Sequence, residues 1–416
     1  MSMSTSRAGR AAAAILALAA ASSAAASAGN GIRLGGSEGR LHPFLEVEDR
    51  YDSNVYFTED KQQVADMVVH VRPGFDLTVP GEVFAAELGG SLDWAQYLGM
   101  DKPETKDKLS KLYGQAALGL ALNRRGVVGF ELDDEFRRAQ GSTALILSNA
   151  VVSNYNALRV RVPFRPGGGA LVFTANGGWT LETFESYFTD PICATCSGAV
   201  GSLGYNEVRA GGELKWRFLP RTAALVQGGW FSRVPNDSAA SSVSGIEAQA
   251  GLTGLVTPHL GATIKGGYTN TLGLAGGDLS TWMATLEGEW IATDSASVRL
   301  GWAHGLGVDP GPSLYTSNRV YGGGRMLLAG RYGVRVDANF EKRDYDRLTL
   351  GTTPASGSAD VLRLEPGFEA GIARWMSASL GYAYSKRTSA FPAGTPKLPG
   401  FEYSKSEVWV RLAVRY

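Results

Sequence analysis

The residues of this chain best suited to chemistry are few, and their spacing argues against most reactions. Cys193-Ala194-Thr195-Cys196 is a C-x-x-C pair, a pattern used for redox exchange or as half of a zinc site. These are the only two cysteines, and the four histidines, His42, His70, His259 and His304, are scattered along the chain. In an exported, oxidising setting Cys193 and Cys196 are expected to form a small disulfide that staples an external loop. Glu131, Asp133 and Glu135 stand two apart, as do Glu287 and Glu289. Paired carboxylates can act as acid and base, but at this spacing on a strand they form a ladder along one face. Basic residues such as Arg159, Arg161, Arg209 and Arg335 are available to match it. Asp49, Asp52 and Asn54 offer oxygen ligands to a calcium ion, and turn formation accounts for the same three residues. No G-x-S-x-G, H-E-x-x-H or phosphate-loop pattern occurs. No enzyme activity, cofactor or metal is expected.

The N-terminus carries Arg7 and Arg10, an apolar run over 11–21, and Ala26-Ser27-Ala28. This is the charge, apolar core and small-residue cleavage pattern of a secretory signal, so residues 1–28 read as a signal peptide. Residues 29–42 then form a periplasmic lead-in, and 43–416 the folded body. The apolar core of the signal is too short to span a bilayer. No later stretch reaches the roughly 18 to 20 apolar residues of a transmembrane helix. With 40 basic and 40 acidic residues the formal net charge is zero, which gives no reason to expect a nucleic-acid partner.

What positions the charged ladders is a repeat of two. Val408, Val410, Leu412, Val414 and Tyr416 alternate with Trp409, Arg411, Ala413 and Arg415. An alternating strand ending on a C-terminal aromatic is the closing-strand signal of a bacterial outer-membrane barrel and is expected to direct its assembly. Further upstream, Val208, Ala210, Gly212, Leu214, Trp216 and Phe218 alternate with Glu207, Arg209, Gly211, Glu213, Lys215 and Arg217. Placing a basic side chain on lipid costs about 2 to 4 kcal/mol near the bilayer midplane, so the charged face must turn inward. The inward set is then Glu131, Asp133, Glu135, Arg159, Arg161, Glu207, Arg209, Glu213, Lys215, Arg335, Asp337, Glu341, Arg363, Glu365, Glu369 and Arg411. Most aromatic residues fall at segment ends, as an interface girdle requires, with Tyr155 and Tyr321 facing in.

Alternating segments are joined in turn by short and long connections. Short turns centre on Pro80-Gly81, Arg124-Arg125-Gly126, Pro166-Gly167-Gly168, Pro220-Arg221, Pro258-His259, Asp294-Ser295, Arg331-Tyr332 and Arg374-Trp375. Long loops are expected over 55–65, 99–106, 141–149, 185–203, 235–242, 273–277, 310–313, 347–358 and 388–402. About 18 strands result, an even number with both chain ends on the short-turn side. The fold expected is an all-β, closed antiparallel transmembrane β-barrel in the outer membrane of a Gram-negative bacterium, with short periplasmic turns and longer extracellular loops.

The first strand and its exit, Phe44-Leu45-Glu46-Val47 through Tyr51-Asp52-Ser53-Asn54-Val55, resemble the opening of a family of outer-membrane β-barrel porins. The turn Trp216-Arg217-Phe218-Leu219-Pro220-Arg221-Thr222-Ala223 is similar to another recurring piece of that family. Members of similar type are associated with Wzx/Wzy-type exopolysaccharide export. The resemblance therefore implies a polar passage for an exported polysaccharide, with a periplasmic polysaccharide-export lipoprotein as partner beside outer-membrane lipids and the barrel-assembly machinery. A diffusion porin for small solutes is the alternative.

Overall fold

The computed structural model describes residues 31–34, 38–140, 151–186, 204–236, 242–272, 278–308, 314–350, 353–391 and 402–416. The expected signal peptide and the pair Cys193 and Cys196 lie outside them. A two-residue strand β1 (Ile32–Arg33) leads into β2 (Arg40–Asp52), β3 (Asp66–Val79), β4 (Phe84–Tyr97), β5 (Lys111–Leu122), β6 (Phe130–Gln140) and β7 (Val151–Phe164). There follow β8 (Leu171–Ser186), β9 (Tyr205–Leu219), β10 (Thr222–Pro235), β11 (Val243–Thr257), β12 (Leu260–Leu272) and β13 (Ser280–Thr293). The chain ends with β14 (Ala296–Val308), β15 (Leu314–Leu328), β16 (Tyr332–Leu350), β17 (Thr353–Ala373), β18 (Met376–Ala390) and β19 (Tyr403–Arg415). Each strand from β2 onward pairs antiparallel with the next, and β19 pairs back onto β2, so the 19-stranded sheet is a closed ring of 18 with β1 appended.

Closure is made by the end of the chain. Arg415 faces Phe44, and the Tyr416 N–H donates to the Pro43 carbonyl at 3.0 Å. A closed sheet leaves no row of unsatisfied backbone groups, which is the condition for crossing a bilayer with strands. No helix among the described residues is long and apolar enough to cross a membrane. The outward face is apolar and uncovered: Val208, Leu214, Trp216 and Phe218 on β9 are exposed, as are Val408, Val410, Leu412, Val414 and Tyr416 at the end of the chain. The protein is a β-barrel of the Gram-negative outer membrane.

Three sequence expectations change. Strand β2 begins at Arg40, inside the stretch assigned to the lead-in. The turn expected at Arg331-Tyr332 is centred instead on Ala329 and Gly330, both at positive φ, 52° and 64°. Two such residues in sequence give the mirror-image turn whose twist matches a hairpin. The long loop expected over 347–358 is mostly ladder, since β16 runs to Leu350 and β17 starts at Thr353, with Leu350 facing Thr353.

Candidate functional site: the inner wall

The ladder register carries one face around the whole ring. Glu207 faces Thr180, Thr180 faces Ala157, and Ala157 faces Glu135. In the other direction Glu207 faces Arg233, and Arg233 faces Val243. Because directly opposed residues share a face and alternate residues repeat it, every member of the inward set named from the sequence lies on this one face. The Arg233 guanidinium donates to the Val308 carbonyl at 3.0 Å, from β10 to β14, a reach across the ring that the concave side permits. This face is therefore the inner wall, and the exposed apolar residues are its reverse.

On β2, β3, β4 and β19 the inner wall holds a dense ion network. The Glu48 carboxylate is fully buried and is met by Arg50 at 2.6 Å, Arg72 at 3.0 Å and Arg411 at 2.6 Å. Arg50 also reaches Glu407 at 3.2 Å, and Arg72 reaches Asp93 at 2.9 Å, which His70 contacts as well. Lys405 lies 2.7 Å from Asp52. Of these residues only Arg411 belongs to the inward set read from the sequence, where Asp52 stands as a calcium-ligand candidate and His70 as one of four scattered histidines. The signal for the rest was present, because Glu46, Glu48, Arg50 and Asp52 alternate on the first strand as the others do. The oxygen-rich trio read as a calcium candidate hid it. Asp49 is on the outer face, Asp52 is paired with Lys405, and the Asn54 side chain binds Thr58 and the Ser404 carbonyl within a loop. No group of three or more His, Cys, Asp or Glu that could hold a metal ion occurs among the described residues.

Around the rest of the ring the expected residues meet as follows. Arg161 bridges Asp133 at 2.7 Å and Glu131 at 3.2 Å, while Glu135 faces Ala157 and Arg159 stands opposite Asp133. Glu207 holds Arg209 at 2.5 Å and Arg233 at 2.7 Å. Glu213 and Lys215 continue that face against Gln227 and Leu225. Glu365 receives Arg363 at 2.9 Å and Arg335 at 3.2 Å, and Glu341 receives Arg343 at 2.9 Å. Asp337 faces Gly323 and Glu365, and Glu369 faces Gly333 and Ser379.

The inner wall is richer in aromatic rings than the sequence suggested. Besides Tyr155 and Tyr321, the same face carries Tyr97, Tyr113, Tyr205, Phe231, Tyr315, Tyr345, Tyr403 and Trp409. Many support a cation: Arg233 lies 3.9 Å from the Tyr205 ring centre, Arg343 4.9 Å from Tyr315, Arg209 5.2 Å from Phe231, and Arg50 and Arg137 each 5.4 Å from Trp409 and Tyr155. Such stacking fixes a guanidinium plane while leaving its edges to bond elsewhere.

At the long-loop end, two connections fold over this wall. Residues 53–65 lay Phe57 edge-on to Tyr403, with ring centres 4.8 Å apart, and Ser404 donates to Asp60 at 2.6 Å. Residues 98–110 contain a one-turn helix α1 (Glu104–Leu109). Asp66, at the start of β3 and fully buried, accepts from the backbone N–H of Gly99 at 2.9 Å and of Met100 at 3.0 Å, and from the Thr105 hydroxyl at 2.5 Å. Asp101 returns a bond to the Ala65 N–H at 2.7 Å. Beneath these bonds Val55, Val64, Val68, Ala95, Tyr97 and Leu109 form a buried apolar cluster. Both loops are thus fastened by burial as well as by hydrogen bonds.

No family model matches the chain, and no curated protein matches it. Among solved structures it is similar to the siderophore receptor PirA from Pseudomonas aeruginosa, at 12% identity over 91% of this chain and 80% of that chain, TM-score 0.43. It is similar also to OpdK from Pseudomonas aeruginosa, at 14% identity over 90% and 98% of the two chains, TM-score 0.44. OmpT of Vibrio cholerae gives 12% identity over 92% and 99%, TM-score 0.39. Likenesses this distant say nothing about cargo.

Proposed function

We propose that the barrel is a selective diffusion channel for small polar solutes, narrowed at its outer mouth by the loops 53–65 and 98–110. The observation that carries this reading is the fastening of both loops over the inner wall, 98–110 through Asp66 and 53–65 through Asp101, Ser404 and Tyr403. Barrels of 16 to 18 strands are too wide for their own side chains to fill, so a wall of paired charges leaves a hydrated lumen. Loops held inward limit its bore. A conduit for a polymer gains nothing from a fixed narrowing, whereas a solute channel gains discrimination. Polysaccharide export draws on the resemblance of short motifs, on a wall crowded with charge yet nearly neutral in sum, and on an expected scarcity of inner aromatic rings. The rings on the inner wall remove the last of these supports. We further infer that residues 1–28 are removed on export, that the residues before Arg40 form a periplasmic lead-in to the first long strand, and that the strand ending in Tyr416 is read by the barrel-assembly machinery.

Deleting the gene and measuring small-solute uptake and surface polymer in the same strain tests the reading. Slowed uptake with normal surface polymer is expected. Lost surface polymer with unchanged uptake would replace the channel with an export conduit and its periplasmic lipoprotein partner.

A further inference from the structure

On β14 and β15 the inner wall departs from the ion-paired pattern of β2, β3 and β19. Tyr321 on β15 lies flat across Gly301 of β14: a Cβ at position 301 would come within 2.3 Å of the Tyr321 ring. The Tyr321 hydroxyl donates to Glu287 at 2.7 Å, which fixes the ring in its plane. Two guanidinium groups flank that ring, Arg319 at 5.1 Å and Arg299 at 6.0 Å from its centre. Neither makes an ion pair with a carboxylate among the described residues. The carboxylates that face them are otherwise disposed. Glu287 holds the tyrosine, and Glu341, opposite Arg319, is taken by Ser317 at 2.7 Å and Arg343 at 2.9 Å. Glu289 stands across from Arg299, and Asp337 across from Gly323.

We propose that Tyr321, Arg299 and Arg319 form a subsite for a six-membered ring that carries a single carboxylate. An aromatic face offers a stacking surface for a flat ring or for the C–H face of a pyranose. Guanidinium edges match a carboxylate with paired hydrogen bonds. Glu289 and Asp337 set the limit on charge, because a second negative group on the ligand would be placed against them. The proposal rests on the channel reading and names its substrate class.

The test uses the full-length refolded barrel in planar bilayers, with glucuronate, benzoate and glucose as probes. Glucuronate and benzoate are expected to interrupt the ion current in a concentration-dependent way, and glucose to leave it unchanged. Replacing both arginines by glutamine (R299Q with R319Q) should raise the half-blocking concentration at least about tenfold, the loss expected when charge-assisted hydrogen bonds are removed. Tyr321→Leu should weaken both acids, while Tyr321→Phe keeps the ring and most of the block, which separates stacking from the bond to Glu287. Stronger block by glucuronate assigns the subsite to an acidic sugar, and stronger block by benzoate to an aromatic acid. A conducting barrel that ignores both acids, or a double variant blocked like the parent, overturns the subsite and leaves the channel standing. A folded barrel that passes no current overturns the channel. Calorimetric titration of glucuronate into the detergent-solubilised protein then decides the subsite separately, and equal heats from parent and double variant overturn it.

Discussion

The closing seam and the wall at β14 and β15 use the same residue types to opposite ends. At the seam, Glu48 is fully buried and gathers three guanidinium groups from β2, β3 and β19. Further round the ring, Arg299 and Arg319 share one tyrosine ring and make no ion pair with a carboxylate among the described residues. A buried charge is tolerable only when matched, because its desolvation costs several kcal/mol. A charge facing a hydrated lumen has no such requirement and is free to meet a solute. Alternation sets which face a charge occupies, and the neighbouring strands decide whether it is structural or available.

The comparison breaks most completely if the seam is not made. Deleting residues 412–416 removes the pairs from Leu412–Val47 to Arg415–Phe44 and the bond from Tyr416 to Pro43, so the truncated chain should be degraded in the periplasm. Normal outer-membrane levels on an immunoblot of membrane fractions would count against a structural seam. Glu48→Gln leaves three guanidinium groups without their shared anion, and removing one partner of a buried ion pair costs about 3 to 5 kcal/mol. The unfolding midpoint in detergent, read from heat-modified gel migration, should fall accordingly. Replacing Asp66 by alanine strands the backbone donors of Gly99 and Met100, at about 1 to 3 kcal/mol for each donor left dry. Its sharper readout is single-channel conductance, which should rise as loop 98–110 is released, and an unchanged conductance would show that this loop does not set the bore. Arg319→Gln forfeits only a stacking contact worth about 0.5 to 1 kcal/mol. If it destabilised the barrel as much as Glu48→Gln, the distinction between the two walls would collapse.

Much of this was legible because a barrel strand has a side-chain period of two and a bilayer excludes charge from one face. Glu207, Arg209, Glu213 and Lys215 declare their side by alternation alone, and the short turns separate into those with proline or glycine chemistry and those without. Where local chemistry was ambiguous the bounds moved: Ala329-Gly330 replaced Arg331-Tyr332, since an alanine at positive φ announces nothing in a sequence. Likewise nothing in the stretch 347–358 declares that the β16–β17 hairpin continues through it.

The sequence by itself determined the faces, the approximate strand number and the closing strand, since each follows from neighbours a few residues apart and from the cost of burying charge in lipid. The tertiary structure alone decided which charges meet. Arg411 bonds Glu48 across 363 residues, Asp66 gathers a loop that begins more than thirty residues later, and Tyr321 lies on a glycine of the adjacent strand. Those pairings depend on the register between strands and on closure of the ring, quantities set by the summed fit of the whole sheet and encoded in no single stretch of it.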